Sequence, residues 1–109
     1  MVTKPQNWGK DDVSKFIDIA SDNGYITYQN FPDYYHKLVL IDSIYREINK
    51  YMANSKNIVT NLLFMKAHSA FLAGARLAVS CQVTECYPII RTIIENSLYG
   101  LMINKDQEL

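Results

Sequence analysis

The chain has 109 residues, 49% of them hydrophobic, with 11 basic and 11 acidic side chains, for a formal net charge of zero. That length makes one domain with one core, and the composition excludes a disordered chain. With neither a basic block nor an acidic tail, charge favours neither a nucleic-acid nor a membrane-surface partner.

Residues 1 to 10 contain Pro5, Asn7, Trp8 and Gly9 without any period, so they read as an arm in which Trp8 docks on the body. Asp11 or Asp12 then supplies an N-cap. Val13, Phe16, Ile17 and Ala20 follow at helical spacing, and Asn23-Gly24 reads as the helix stop, giving a short first helix near Asp12 to Ser21. Tyr25 to Tyr28 are β-formers with no second strand to pair with, and read as a connector.

Asn30, Pro32 and Asp33 open a second helix: a capping amide, a proline in the first turn and an acid at the positive end of the dipole. It is expected to run to Ala53. Tyr34, Leu38, Ile41, Tyr45, Ile48 and Met52 alternate in steps of four and three, the stripe of an amphipathic bundle helix. Asn54 to Asn57 is a short polar link, with Ser55 or Asn57 as the next cap.

The third helix, Asn57 to Cys81, carries Phe64, Ala67, Phe71, Gly74, Ala78 and Cys81 along one side. Gly74 inside a helix costs roughly 1 kcal/mol relative to alanine, which points to a close backbone approach there. Lys66, His68, Ser69 and Arg76 interrupt the apolar run, so the reading is a buried helix of a soluble protein rather than a membrane span. Thr84 caps the fourth helix, Glu85 to Asn104, with Pro88 at its fourth position. Ile90, Ile94, Leu98 and Leu101 line one side and Ile89, Ile93 and Ile103 widen it. The whole is an all-α, four-helix up-and-down bundle with a short N-terminal arm.

No chemistry-bearing motif stands out. Gly9, Gly24, Gly74 and Gly100 do not cluster, which excludes a phosphate-cradling glycine loop. No serine sits in a nucleophile elbow, and neither Cys81 nor Cys86 has a histidine in a local catalytic or zinc spacing. The cysteines read as small apolar residues beside a helix junction. No cofactor and no metal are expected, and the compartment is a reducing cytoplasm.

The candidate site gathers Arg91, Glu95, Arg76, His68 and Asn96. Arg91 and Glu95 share one face of the fourth helix, bordered by Tyr87, Ile94 and Leu98, where a charge needs a partner. They read either as a structural pair completed by Arg76 or a tyrosine hydroxyl, or as the lining of an anion or nucleotide pocket, since guanidinium suits phosphate. His68 sits at the edge of the polar arc, the place of a hydrogen-bonded histidine. The eight tyrosines fit an interface or a small core completed by rings.

The segment Leu63 to Ile103, LFMKAHSAFLAGARLAVSCQVTECYPIIRTIIENSLYGLMI, resembles a group of bacterial all-helical proteins in which an alanine-rich helix precedes an Arg-x-x-x-Glu helix. That group is distantly similar to the HEPN superfamily. The resemblance implies a four- or five-helix bundle, often dimeric, and a chain usually longer than this one, so that residues 1 to 109 would be a single domain of a larger protein. HEPN ribonucleases carry a histidine a few positions after the arginine; here Asn96 or Ser97 stands in its place.

The function expected is therefore a non-catalytic association module, a homodimer through the helices Asn57 to Cys81 and Glu85 to Asn104. The alternative is an HEPN-like RNA-cleaving or nucleotide-binding domain, with Arg91 on phosphate and Glu95 or His68 in support.

Overall fold

A computed structural model of the chain describes the backbone of residues 2–108 and the side chains through residue 105, so that Met1 and Leu109 lie outside it. The fold is all-α: α1 (Asp12–Asn30), α2 (Pro32–Met52), α3 (Ile58–Val79) and α4 (Val83–Glu108), joined by short links with consecutive helices in contact, as in an up-and-down bundle. The helix at the centre is α3, which α4 packs along, α2 flanks and α1 touches; α4 approaches neither α1 nor α2 within 8 Å at any Cα pair among the described residues.

The arm docks as expected, through polar contacts. Trp8 Nε1 donates to Asp18 Oδ1 at 3.0 Å and Lys4 Nζ to Asp18 Oδ2 at 3.3 Å. Asp11 is the N-cap, accepting from the Ser14 backbone N–H at 2.8 Å, and Ser14 Oγ accepts from Gly9 N.

The first helix is longer than its sequence suggests. It passes through Asn23-Gly24 and absorbs the supposed connector Tyr25 to Tyr28, ending only at Asn30. The reason lies on α3. Thr27 Oγ1 is 2.9 Å from Val79 O, one of the last-turn carbonyls that α3 cannot satisfy itself. A helical Gly24 lies alongside Val79, whose Cγ2 would be 3.6 Å from a Cβ there. Asn30 is consequently the last residue of α1, and Phe31 alone separates the helices, standing at the N-cap of α2 without a side-chain cap bond, followed by Pro32 in the first turn.

Asn57 caps α3, its side chain accepting from Thr60 N at 3.1 Å. The other end closes in a Schellman turn: Gln82 N donates to Leu77 O and Cys81 N to Ala78 O, with Cys81 in the left-handed region at φ 67°. A non-glycine residue there costs about 1–2 kcal/mol. This turn starts α4 at Val83, two residues before Glu85, and makes Pro88 its sixth residue rather than its fourth, past the first turn.

The α3–α4 seam is knit by two glycines used in opposite directions. A Cβ on Gly74 would come within 3.2 Å of Ile89 Cγ2, and a Cβ on Gly100 within 3.2 Å of two Phe64 ring atoms. Each helix thus admits a side chain of the other over a bare backbone. Phe64, Ala67, Phe71 and Gly74 are buried as their spacing predicts, whereas Ala78 and Cys81 of the same row are exposed. On α4 the row that reads as core, Ile90, Ile94, Leu98 and Leu101, is exposed, and Cys86, Asn96 and Gly100 are the buried positions.

The core is accordingly small, its buried apolar side chains being Met52, Phe64, Ala67, Phe71 and Cys86. The radius of gyration is 17.3 Å, against about 13 Å for a compact chain of this length. By length and composition α3 is apolar enough to cross a membrane, with a mean hydropathy of 1.3 over 18 residues. This corrects the reading that its charges forbid such a window: Lys66 and Arg76 are the only charged residues of Ile58–Val79.

Candidate functional site

Arg91 and Glu95 form the one-turn pair their spacing implies, with Arg91 Nε donating to Glu95 Oε1 at 2.8 Å. The guanidinium side chain is 81% exposed, so the pair stands at the surface. Glu95 holds the Arg91 pKa above its ordinary value, first by the hydrogen bond and then by its charge. Among the described residues no hydrogen bond or ion pair joins Arg91 to Arg76, His68 or Asn96. Asn96 is buried and donates to Thr92 O at 2.7 Å, a bond within its own helix. Arg76 is exposed, with no acidic partner within 4 Å among the described residues, and borders two open clefts beside α3. One of about 580 Å³ is shared with Phe16 and Ile17 of α1; the other, of about 270 Å³, is shared with Tyr35 and Leu38 of α2.

His68 is the candidate around which the structure builds a polar constellation. Its side chain is 12% exposed. Nε2 lies 2.7 Å from Asp42 Oδ1, Nδ1 lies 3.2 Å from Asn49 Nδ2, and the ring stacks on Tyr45 with centroids 5.6 Å apart. Asp42 also accepts from Arg46 Nε at 2.7 Å. With Asn49 Nδ2 facing Nδ1 and a carboxylate facing Nε2, a neutral ring would carry its proton on Nε2, an arrangement that leaves Asn49 Oδ1 buried without a hydrogen-bond partner among the described residues. The hydrogen bond from His68, and then that from Arg46, hold the Asp42 carboxyl below its ordinary pKa of 3.8. Tyr45 extends the network, its hydroxyl 2.8 Å from Ser97 Oγ on α4.

Sequence reasoning singled out His68 and missed Asp42, Asn49 and Tyr45. The signal was present: Asp42, Tyr45 and Asn49 share one face of α2 with Leu38 and Met52, and polar residues inside an otherwise apolar face require partners.

Both imidazole nitrogens are occupied, which leaves none to take a proton from a substrate. Ser43, on the rim of an open cleft of about 640 Å³ beside His68, directs its hydroxyl to Leu40 O at 2.6 Å. The arrangement is that of a pin between α2 and α3, since it joins charge, amide and ring across the interface. Among the described residues no group of three His, Cys, Asp or Glu side chains could hold a metal ion.

Comparison of the chain with known protein families, curated proteins and solved structures finds no match.

Proposed function

We propose that the protein is a non-catalytic self-association module that acts as a homodimer. The observation that carries this reading is the total surface one chain leaves open, with many large apolar side chains among its exposed residues. Its accessible surface is 8628 Å², whereas a compact monomer of 12.6 kDa exposes about 6,200 Å². The difference, roughly 2,400 Å², exceeds the ~800 Å² per partner that a standard interface covers and falls in the range of obligate dimers. Isoleucines and leucines of α2, α3 and α4 are among the exposed side chains.

The HEPN-like resemblance of the last two helices, which implies a dimer, agrees with this reading. A cytoplasmic setting, in which the exposed thiol of Cys81 stays reduced, is part of the same proposal. The Arg91 reading has less support, because the guanidinium is already engaged by Glu95 at the surface and His68 belongs to another cluster.

Light scattering across a hundredfold concentration series tests the proposal. A mass of about twice 12.6 kDa is expected, and a monomer at the highest concentration overturns it.

A further inference from the structure

Alone among the arginines of the chain, Arg76 has no carboxylate within 4 Å among the described residues. Arg46 and Arg91 each hold an acid one turn away, Asp42 and Glu95. Arg76 has none to hold, because α3 contains no aspartate or glutamate, and the residues one turn from it are Leu72 and Ser80. A guanidinium in that state keeps a planar fork of donors that matches a carboxylate. It lines the cleft of about 580 Å³ between α1 and α3, a volume within the ~300–1,000 Å³ of small-molecule sites. The walls of this cleft are largely apolar: Phe16, Ile17 and Ala20 share one face of α1, and Ala73 and Leu77 one face of α3. Ala20, Gly24 and Ala73 bring little side-chain volume to fill the space. The hydroxyls of Ser21 and Ser80 on its lining turn back to their own helices, donating to Ile17 O at 3.1 Å and Arg76 O at 2.8 Å. Arg76 is thus the only charged group on the described lining. The α1 acids Asp18 and Asp22 are not part of it, and Asp18 is held by Trp8 and Lys4.

We propose that this cleft binds a small amphipathic carboxylate, its charge on Arg76 and its apolar tail over Phe16, Ile17 and Leu77. Charge complementarity selects both the ligand and the cleft. A cation is repelled by Arg76, a neutral apolar molecule leaves the guanidinium unpaired, and a polyanion meets one positive group among apolar walls. The neighbouring cleft of about 270 Å³, which Arg76 also borders, is lined by Asp42 as well, so a carboxylate there faces a like charge. The larger cleft has no such opponent on its described lining. The ligand is monovalent and part apolar for the same reason that the site is: one forked donor group stands beside an apolar wall. None of the lining residues belongs to α4, and the proposal does not rest on self-association.

Octanoate below its micelle concentration, titrated into the full chain and followed through the backbone amide resonances, tests this, with octanol and octylammonium as the uncharged and oppositely charged controls. Octanoate is expected to bind with a dissociation constant under about 1 mM, at least tenfold more tightly than either control, and to shift amides of α1 and of the last turns of α3. Arg76→Gln should weaken octanoate at least tenfold, to the level of octanol. Ala73→Leu, at an exposed position, fills the cleft and should weaken octanoate and octanol alike. Absence of octanoate binding, equal affinity for octanol, or unchanged affinity in Arg76→Gln overturns the proposal. Shifts confined to α2 and α4 overturn it too, as does binding to anionic vesicles without binding to monomeric octanoate. Should Arg76→Gln lose its helical circular dichroism, Ala73→Leu carries the test, and undiminished octanoate binding in that variant overturns the proposal.

Discussion

Asp42 accepts hydrogen bonds from two side chains on two helices, His68 on α3 and Arg46 on its own α2, and this depresses its pKa in the folded state. A carboxyl whose folded pKa lies below its unfolded one contributes stability that is fully present above the unfolded value. That contribution is lost as pH falls through the folded value. Acid unfolding of the wild type, followed by circular dichroism, should therefore steepen below about pH 4. Asp42→Asn should be less stable at neutral pH and show a shallower slope in that acid window; parallel curves for the two proteins would remove Asp42 from the account. The position of His68 could be read from the sequence because it borders a helical arc. Its partners could not be assigned so directly, being 26 and 19 residues away, where only the pairing of α2 with α3 brings them into reach. Arg91 and Glu95 show the converse: local spacing suffices to pair them, and it carries no information about whether the pair is buried.

At the scale of the element, the α3–α4 seam rests on Gly74 and Gly100, and the two should respond differently to alanine. Alanine gains about 1 kcal/mol of helix propensity at either site. At Gly74 the added methyl meets the Cγ2 of Ile89, one branch of a side chain that is only half-buried and can yield. At Gly100 it meets three atoms of the buried Phe64 ring, at 3.2 to 3.4 Å. Overpacking of this kind costs roughly 1–3 kcal/mol. Urea unfolding should then place Gly74→Ala within about 0.5 kcal/mol of wild type and Gly100→Ala below it, by about 1 kcal/mol and at most about 2 kcal/mol. Equal effects at the two sites would mean that the seam does not have this geometry. The same contrast explains what the sequence reveals about elements. Four helices, the Asn57 cap and the close approach at Gly74 follow from local pattern. The end of α1 does not, because Asn23-Gly24 carries the chemistry of a stop while Val79, 52 residues from Thr27, supplies the reason to continue. The start of α4 is misread in the same way, since a Schellman turn with cysteine in the left-handed position has no distinctive residue to announce it.

For the whole molecule, the decisive property is that one chain is elongated, 58 × 30 × 27 Å, around a small core. The row Ile90, Ile94, Leu98 and Leu101 looks like core in the sequence, yet all four side chains are exposed in one chain. If a second copy covers them, unfolding is coupled to dissociation and stability depends on protomer concentration by mass action. A tenfold change in concentration is worth about 1.4 kcal/mol per dimer. Two chains of this length unfold with an entropy near 0.46 kcal/mol/K, so the melting temperature should rise by about 3 °C per tenfold increase in concentration. In Ile94→Asp the same series should be flat and the transition should come at lower temperature, because the remaining core is that of α3 with its immediate neighbours. A wild-type melting temperature independent of concentration would mean that the open face contributes nothing to folding, and would leave the association without its thermodynamic basis.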